Sequence, residues 1–106
     1  MDKNIVDDLN FKDEVLNETM PLMVDFFATW CKHCKDLEPI INDIHKKYVD
    51  KVKFVMADID ETPHYTEVMA VKTTPTLFFY KDGKMLKKIP GPRTKEMIEE
   101  ALKTLA

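Results

Sequence analysis

The two cysteines of the chain, Cys31 and Cys34, stand three residues apart and are the residues best suited to chemistry. The only tryptophan, Trp30, precedes the first of them, and Lys32 and His33 lie between them. Two thiols at this spacing, where an apolar strand gives way to a helix, are typical of a pair that cycles between a dithiol and a disulfide. The sequence therefore predicts redox chemistry at residues 31–34.

The position of Cys31 at the start of the predicted helix favours its thiolate. Backbone N–H groups in the first turn of a helix have no helical partner, and the helix dipole favours an anion there. Lys32 and His33 add positive charge nearby, which also stabilises a thiolate. We therefore expect Cys31 to be the nucleophile. Cys34, one turn further into the helix, is expected to be less exposed and to resolve a mixed disulfide.

Three other uses of the cysteine pair are weaker. A structural disulfide across so short a loop restricts the unfolded chain little, since the entropic gain grows with loop length. A zinc site needs about four ligands, usually from paired motifs, and the chain offers three histidines and no second cysteine pair. Two unrelated buried thiols fit poorly with the charged residues between them. We expect no metal and a reversible Cys31–Cys34 disulfide.

Hydrophobic patterning predicts an α/β fold around this pair. Apolar and β-branched runs predict strands at residues 5–6, 22–28, 52–59, 76–80 and 85–89. Asp82-Gly83 is a strong turn signal for a hairpin between the last two strands. With helices in the intervals, the order is βαβαβαββα. Short connections and two-sided apolar strands favour a central mixed five-stranded sheet flanked by helices.

The helices are predicted from capping residues and apolar spacing. The first begins at Asp7 or Asp8 and ends near residue 17, with apolar positions at 9, 15 and 16. The second follows Cys34 and has a 3.6-residue apolar pattern as far as residue 48. Thr62 caps a third, short helix that has proline at its first position, and the last helix begins near Thr94.

Asp25 interrupts the apolar strand that leads to the cysteines. Burying an unpaired charge is costly, and a carboxyl group in such a place can instead stay protonated. The alternative is that Asp25 faces solvent at a strand end. Its strongly apolar neighbours favour burial, which marks Asp25 as a candidate site residue.

Composition and charge exclude several classes of function. The chain has 106 residues, 44% hydrophobic and 33% charged, which is ordinary for one globular domain over residues 1–106. A net charge of −3 gives no general reason to bind nucleic acid or an acidic membrane. No apolar run approaches the ~20 residues of a membrane span, and residues 1–4 do not read as a secretory signal. A lone cysteine pair then predicts a catalytic role in a reducing cytoplasm.

The chain resembles the thioredoxin family over nearly its whole length. The resemblance rests on Val24-Asp25-Phe26, Trp30-Cys31-Lys32-His33-Cys34-Lys35, Pro39, Thr74-Pro75-Thr76, the Asp82-Gly83 turn and Gly91. In this order and spacing they are far more specific than an isolated C-x-x-C. The resemblance implies the thioredoxin fold and reduction of protein disulfides without a bound cofactor. It also implies an electron donor such as thioredoxin reductase, and we expect a monomer.

The resemblance also implies roles for individual residues. Asp25 accepts a proton from Cys34 during resolution. Thr74-Pro75 looks like the family's cis-proline loop, where the Thr74 backbone pairs with an extended substrate segment. Trp30 forms an apolar lip beside the disulfide, with a core position as the alternative. Residue Gly91 lies on the substrate-facing rim, or is only a turn residue.

Two departures from the family pattern bear on mechanism. Many bacterial thioredoxins carry a lysine near the aspartate, whereas the corresponding position here is Met56. The common pair between the cysteines is Gly-Pro, whereas this chain has Lys32-His33. Positive charge near the thiolate makes a disulfide a stronger oxidant, and histidine before the second cysteine is similar to disulfide-forming and isomerising relatives. The alternatives to a reductase are therefore an oxidant or isomerase and, from another class, a non-catalytic binding module.

The hairpin also carries a local basic cluster of Lys84, Lys87, Lys88 and Arg93. Charged side chains on an exposed edge strand commonly prevent strand-to-strand aggregation. We favour this interpretation over nucleic-acid binding.

Overall fold

A five-stranded mixed sheet forms the centre of the computed structural model, which describes residues 4–92 and 94–105. The strands are β1 (Asn4–Val6), β2 (Leu22–Phe27), β3 (Lys53–Asp58), β4 (Thr76–Lys81) and β5 (Lys84–Pro90). Their order across the sheet is β1-β3-β2-β4-β5. β1 and β2 run parallel to β3, whereas β4 is antiparallel to both β2 and β5. The predicted α/β fold and its mixed sheet are confirmed.

Helices pack on both faces of this sheet. The helical segments are a short π-helix (Lys12–Leu16), α1 (Lys32–Tyr48), α2 (Pro63–Val68) and α3 (Lys95–Lys103). Buried residues of α1 and α3 join one core cluster, and the π-helix and α2 contact the cluster on the opposite face. The element order agrees with the predicted βαβαβαββα. No helix among residues 4–92 and 94–105 is both long and apolar enough to cross a membrane.

The central strand β2 is buried on both faces and carries Asp25 beneath α1. Met23 packs in the cluster that includes α1 and α3, whereas Val24 and Phe26 belong to the opposite cluster. Because side chains alternate along a strand, Asp25 lies on the same face as Met23. Asp25 is only 5% exposed. The prediction that this carboxyl group is buried, rather than facing solvent, is confirmed.

The hairpin turn and the start of α3 agree with the sequence. Asp82 and Gly83 both have positive φ, 54° and 76°, as the turn of a two-residue β-hairpin requires. The Thr94 hydroxyl accepts a hydrogen bond from the Met97 N–H at 3.2 Å and caps α3. Local turn and capping chemistry therefore determines both of these boundaries.

The first helix differs from its prediction. Instead of a regular helix from residue 7 or 8, the chain makes a turn and then the π-helix Lys12–Leu16. The Asp7 carboxylate closes the turn by accepting from the N–H groups of Leu9 and Asn10 at 2.9 and 3.1 Å. Leu9, a predicted apolar position of this helix, is 93% exposed, and Phe11 is fully buried instead. The shorter, wider helical turn changes which side chain faces the sheet.

Thr62 is the N-cap residue of α2, as predicted, but another side chain makes the capping hydrogen bonds. Thr62 does not cap the helix with its side chain, because its hydroxyl donates to the Asp58 carbonyl oxygen at 2.9 Å. The Asp8 carboxylate caps α2 instead, accepting from the N–H groups of His64 and Tyr65 at 2.9 and 3.3 Å. Proline does occupy the first turn, as predicted. A residue 56 positions away therefore satisfies the orphan N–H groups of this helix.

Part of the predicted basic cluster lies along the edge strand β5. Lys84 and Lys87 are exposed there. The third lysine of this strand, Lys88, donates a hydrogen bond to the Ala70 carbonyl oxygen at 3.0 Å. Arg93 lies outside the described residues, as do residues 1–3 at the opening of the chain and residue 106.

Candidate active site

The two cysteines are joined at the first turn of α1. Cys31 is the N-cap of this helix, with extended backbone, and its sulfur accepts a hydrogen bond from the Cys34 N–H at 3.1 Å. The Cys31 and Cys34 sulfurs form a disulfide, with the Cα atoms 5.3 Å apart. An N–H group aimed at the Cys31 sulfur, at the positive end of a helix dipole, stabilises negative charge on that sulfur after reduction.

A groove of about 560 Å³ is lined in part by Thr74, whose carbonyl oxygen lies against the Cys31 sulfur; we call it the groove. Its lining residues are His33, Asp36, Leu37, Ile40, Thr73, Thr74, Pro75, Gly91 and Pro92. The Cys31 sulfur lies 3.4 Å from the Thr74 carbonyl oxygen, and the Thr74–Pro75 peptide bond is cis. The Gly91 N–H donates to the Pro75 carbonyl oxygen at 2.8 Å. The fold thus brings the predicted loop residues beside the cysteine pair from a distant part of the chain.

A separate cavity of about 360 Å³ borders the Cys34 side; we call it the cavity. Its lining residues are Ile5, Asp25, Phe27, Ala28, Thr29, Cys34, Lys35, Glu38, Ile41 and Met56. Asp25 and Cys34 therefore share one small, mostly apolar space. Met56 pairs with Asp25 in the register between β2 and β3, so this methionine does lie beside the aspartate.

The relative exposure of the two cysteines is opposite to the expectation. Cys31 is 6% exposed, whereas Cys34 is half-buried. The expectation that Cys34 is less exposed is therefore wrong. The physical reason is that the Thr74 carbonyl of the cis-proline loop packs against the Cys31 sulfur, whereas Cys34 borders the cavity. The Cys34 N–H and the helix dipole stabilise negative charge on the Cys31 sulfur whatever the exposure of that sulfur.

The residues flanking Cys31 differ in their surroundings. Trp30 is 67% exposed, which excludes the alternative that it is a core aromatic. The Lys32 ammonium forms an ion pair with the Asp36 carboxylate at 3.0 Å, on the exposed surface of α1. His33 is exposed and borders the groove. The Asp36 carboxylate therefore partly neutralises the charge of Lys32, whereas His33 forms no ion pair among the residues that the structure describes.

Two charged residues of α1 that the sequence did not single out lie at this site. Asp36 stands four residues after Lys32, and Glu38 stands four residues after Cys34. Residues at this spacing share one helix face, so the pattern could have indicated that Asp36 lies beside Lys32 and that Glu38 lies on the same face as Cys34. Across residues 4–92 and 94–105, no group of three or more histidine, cysteine or acidic side chains could hold a metal ion.

A C-x-x-C pair at the first turn of a helix, with a cis-proline loop beside it, defines the class as a thiol–disulfide oxidoreductase of thioredoxin fold. The thioredoxin family model matches residues 2–104. A thioredoxin of Rickettsia typhi is 45% identical over 80 residues, 76% of each chain. Thioredoxin 1 of Synechococcus elongatus is 35% identical over 97 residues, 92% of this chain and 91% of the relative. The chain belongs to the thioredoxin family.

Proposed function

We propose that this protein reduces protein disulfides, with Cys31 as the nucleophile and Cys34 as the resolving cysteine. The observation that carries the assignment is the hydrogen bond from the Cys34 N–H to the Cys31 sulfur, at 3.1 Å. This contact stabilises the Cys31 thiolate, which is the attacking species in thiol–disulfide exchange. Neither the oxidant or isomerase alternative nor the non-catalytic module is favoured by the relatives, which are named thioredoxins.

The exchange proceeds in two steps. The Cys31 thiolate attacks one sulfur of a substrate disulfide, forming a mixed disulfide and releasing the first substrate thiolate. The Cys34 thiol then loses its proton to Asp25, and the Cys34 sulfur attacks the Cys31 sulfur. The second substrate thiolate leaves, and the Cys31–Cys34 disulfide forms. Two electrons have passed from the protein to the substrate.

The groove is the proposed binding site for the substrate polypeptide. Thr74 presents its backbone at the groove, and an extended substrate segment pairs with it as an added strand. Pro75 and Gly91 form the adjoining rim, and exposed Trp30 provides an apolar contact beside the disulfide. His33, and to a smaller extent Lys32, adjusts the reduction potential through positive charge near Cys31.

The dithiol is regenerated by another protein. We propose thioredoxin reductase or an equivalent electron donor, because exchange through the cysteine pair itself needs no bound cofactor. A lone redox pair fits a reducing compartment, so we place the protein in the cytoplasm. We also propose a monomer that binds neither nucleic acid nor membranes, since the net charge of −3 offers no electrostatic reason for either.

The test is reduction of a purified disulfide-bonded protein, such as insulin, by the reduced form. We expect stoichiometric release of substrate thiols by the wild type and loss of release in Cys31→Ser. Cys34→Ser is expected to stop after the first step and to accumulate a covalent mixed disulfide. Reduction by Cys31→Ser at the wild-type rate would contradict the proposed function.

A further inference from the structure

Glu38 and Lys35 line the cavity, and neither takes part in the two steps above. They share the cavity with Asp25 and Cys34, and both are exposed residues of α1. Glu38 lies four residues after Cys34 and so lies on the same helix face. The cavity is therefore lined by Asp25 and Cys34, which take part in the proposed proton transfer, and by two exposed side chains of opposite charge.

The remaining lining of the cavity makes those charges effective. It consists of the side chains of Ile5, Phe27, Ala28, Thr29, Ile41 and Met56, of which only the threonine is polar. An apolar wall screens charge less than bulk water does. We therefore expect a charge at the edge of this cavity to act on the buried Asp25 more strongly than an exposed charge outside the cavity.

We propose that Glu38 is a positioning residue that sets the pH at which Cys34 resolves the mixed disulfide. The inference rests on the proposed function, because it concerns the second step of that exchange. In this step the Cys34 proton passes to the Asp25 carboxylate, the Cys34–Cys31 bond forms, and the substrate sulfur leaves with the electron pair of the broken bond. The proton then leaves Asp25 for solvent through the cavity.

The direction of the effect follows from charge. In the proposed step the Cys34 sulfur attacks only when one negative charge resides on the Asp25 carboxyl group or on that sulfur. The Glu38 carboxylate repels that charge, so it raises the pH at which Cys34 becomes reactive. The Lys35 ammonium attracts it and lowers that pH. Glu38 and Lys35, both on α1, are therefore expected to shift the pH dependence of the resolving step in opposite directions.

Besides Asp25, Lys35 and Glu38, none of the described residues that line the cavity is charged. From the neighbouring strands, β1 contributes Ile5 and β3 contributes Met56, and β4 places Leu77 opposite Asp25 in the sheet register. Among the described residues that line the cavity, α1 alone supplies charged side chains besides Asp25. Substitution of Glu38 or Lys35 thus removes a charge without touching the reacting groups.

The experiment follows each step separately with 2,2′-dipyridyl disulfide, which releases one absorbing thione when Cys31 attacks and a second when Cys34 resolves. The reduced protein and the reagent are mixed in equal amounts over a range of pH. For Glu38→Gln we expect the pH midpoint of the second release to fall by about half a unit. For Lys35→Gln we expect it to rise by a similar amount, and Glu38→Asp should retain most of the wild-type midpoint.

The matched control is Glu100→Gln, the same charge change at an exposed position of α3 outside the cavity. Its midpoint should equal that of the wild type, and high salt should shrink the Glu38→Gln shift. An unchanged midpoint in Glu38→Gln, or a shift equal to that of Glu100→Gln, overturns the inference. Failure of the proposed function is distinct, because the wild type would then release no thiols from insulin at any pH.

Discussion

The two sides of the Cys31–Cys34 disulfide are built differently. The groove beside Cys31 is about 560 Å³ and is bordered by loop backbone at Thr74, Pro75 and Gly91. The cavity beside Cys34 is about 360 Å³, mostly apolar, and contains a buried carboxyl group. In the proposed mechanism, the groove binds the substrate polypeptide and the cavity accommodates the proton transfer of the resolving step. We therefore expect substitutions at the groove to alter substrate recognition and substitutions at the cavity to alter the resolving step.

The strongest test of this separation is Asp25→Asn on the cavity side. A general base contributes about 10²–10⁴-fold to a proton transfer, so we expect release of the second thiol to slow by about 100-fold at pH 7. The first release should change little, because Asp25 lines the cavity together with Cys34 and does not line the groove. The control Asp43→Asn makes the same change at an exposed position of α1. Resolution at the wild-type rate in Asp25→Asn would remove the aspartate from the mechanism.

The corresponding test on the groove side is Trp30→Ala. Loss of an exposed aromatic anchor at an interface costs about 1.4 kcal/mol, so KM for a protein disulfide should rise by about tenfold. The rate with a small disulfide should change by less than about twofold, since a small reagent needs no such contact. Leu86→Ala, at an exposed apolar position on β5, serves as the control. Equal effects on large and small disulfides would argue against a binding role for Trp30.

Lys32 and His33, between the cysteines, should change the reduction potential of the disulfide rather than only the rate of one exchange step. Replacing Lys32-His33 by Gly-Pro removes positive charge near the Cys31 thiolate, so the potential in glutathione buffers should become more negative by about 30 mV, a tenfold change in the exchange constant. Lys32→Gln alone should have a smaller effect, because Asp36 already pairs with the lysine. A Gly-Pro variant with an unchanged or less negative potential would contradict this interpretation.

The smallest effect is expected at Ala70, which should leave both sides of the disulfide unaffected. Ala70 follows α2 with φ of 54°, a left-handed conformation that disfavours residues with a Cβ. Ala70→Gly should therefore raise the free energy of unfolding by about 0.5–1 kcal/mol, measured by urea denaturation. Ala101→Gly, within helix α3, should lower it by about 1 kcal/mol or more. Both thiol releases should stay within about twofold of wild type for Ala70→Gly.

Features determined by nearby residues were predictable from the sequence. The Asp82-Gly83 turn, the Thr94 cap and the apolar face of α1 each depend on neighbours within a few positions. The cis bond at Thr74–Pro75 is different, since the residues alone favour trans and only the family resemblance predicted cis.

Features determined by distant contacts were not predictable. The local pattern identified Thr62 correctly as the N-cap residue of α2, but the side chain that accepts from the first N–H groups of the helix is that of Asp8. The exposure of Cys31 depends on the Thr74 carbonyl, 43 residues further along the chain. The position of Cys31 at the start of α1 was enough to predict that an N–H group stabilises its thiolate. It was not enough to predict that the Thr74 loop covers the Cys31 sulfur rather than the Cys34 sulfur.

Trp30 has a practical consequence for every measurement on this protein. It is the only tryptophan, it is largely exposed, and it is bonded directly to Cys31. Because a disulfide quenches the emission of a neighbouring indole, its fluorescence is expected to report the oxidation state of the cysteine pair. An indole that is already hydrated in the native state reports unfolding poorly, so denaturation is better followed by circular dichroism. The protein thus contains an intrinsic optical probe of its own redox cycle, one residue before the Cys31 nucleophile.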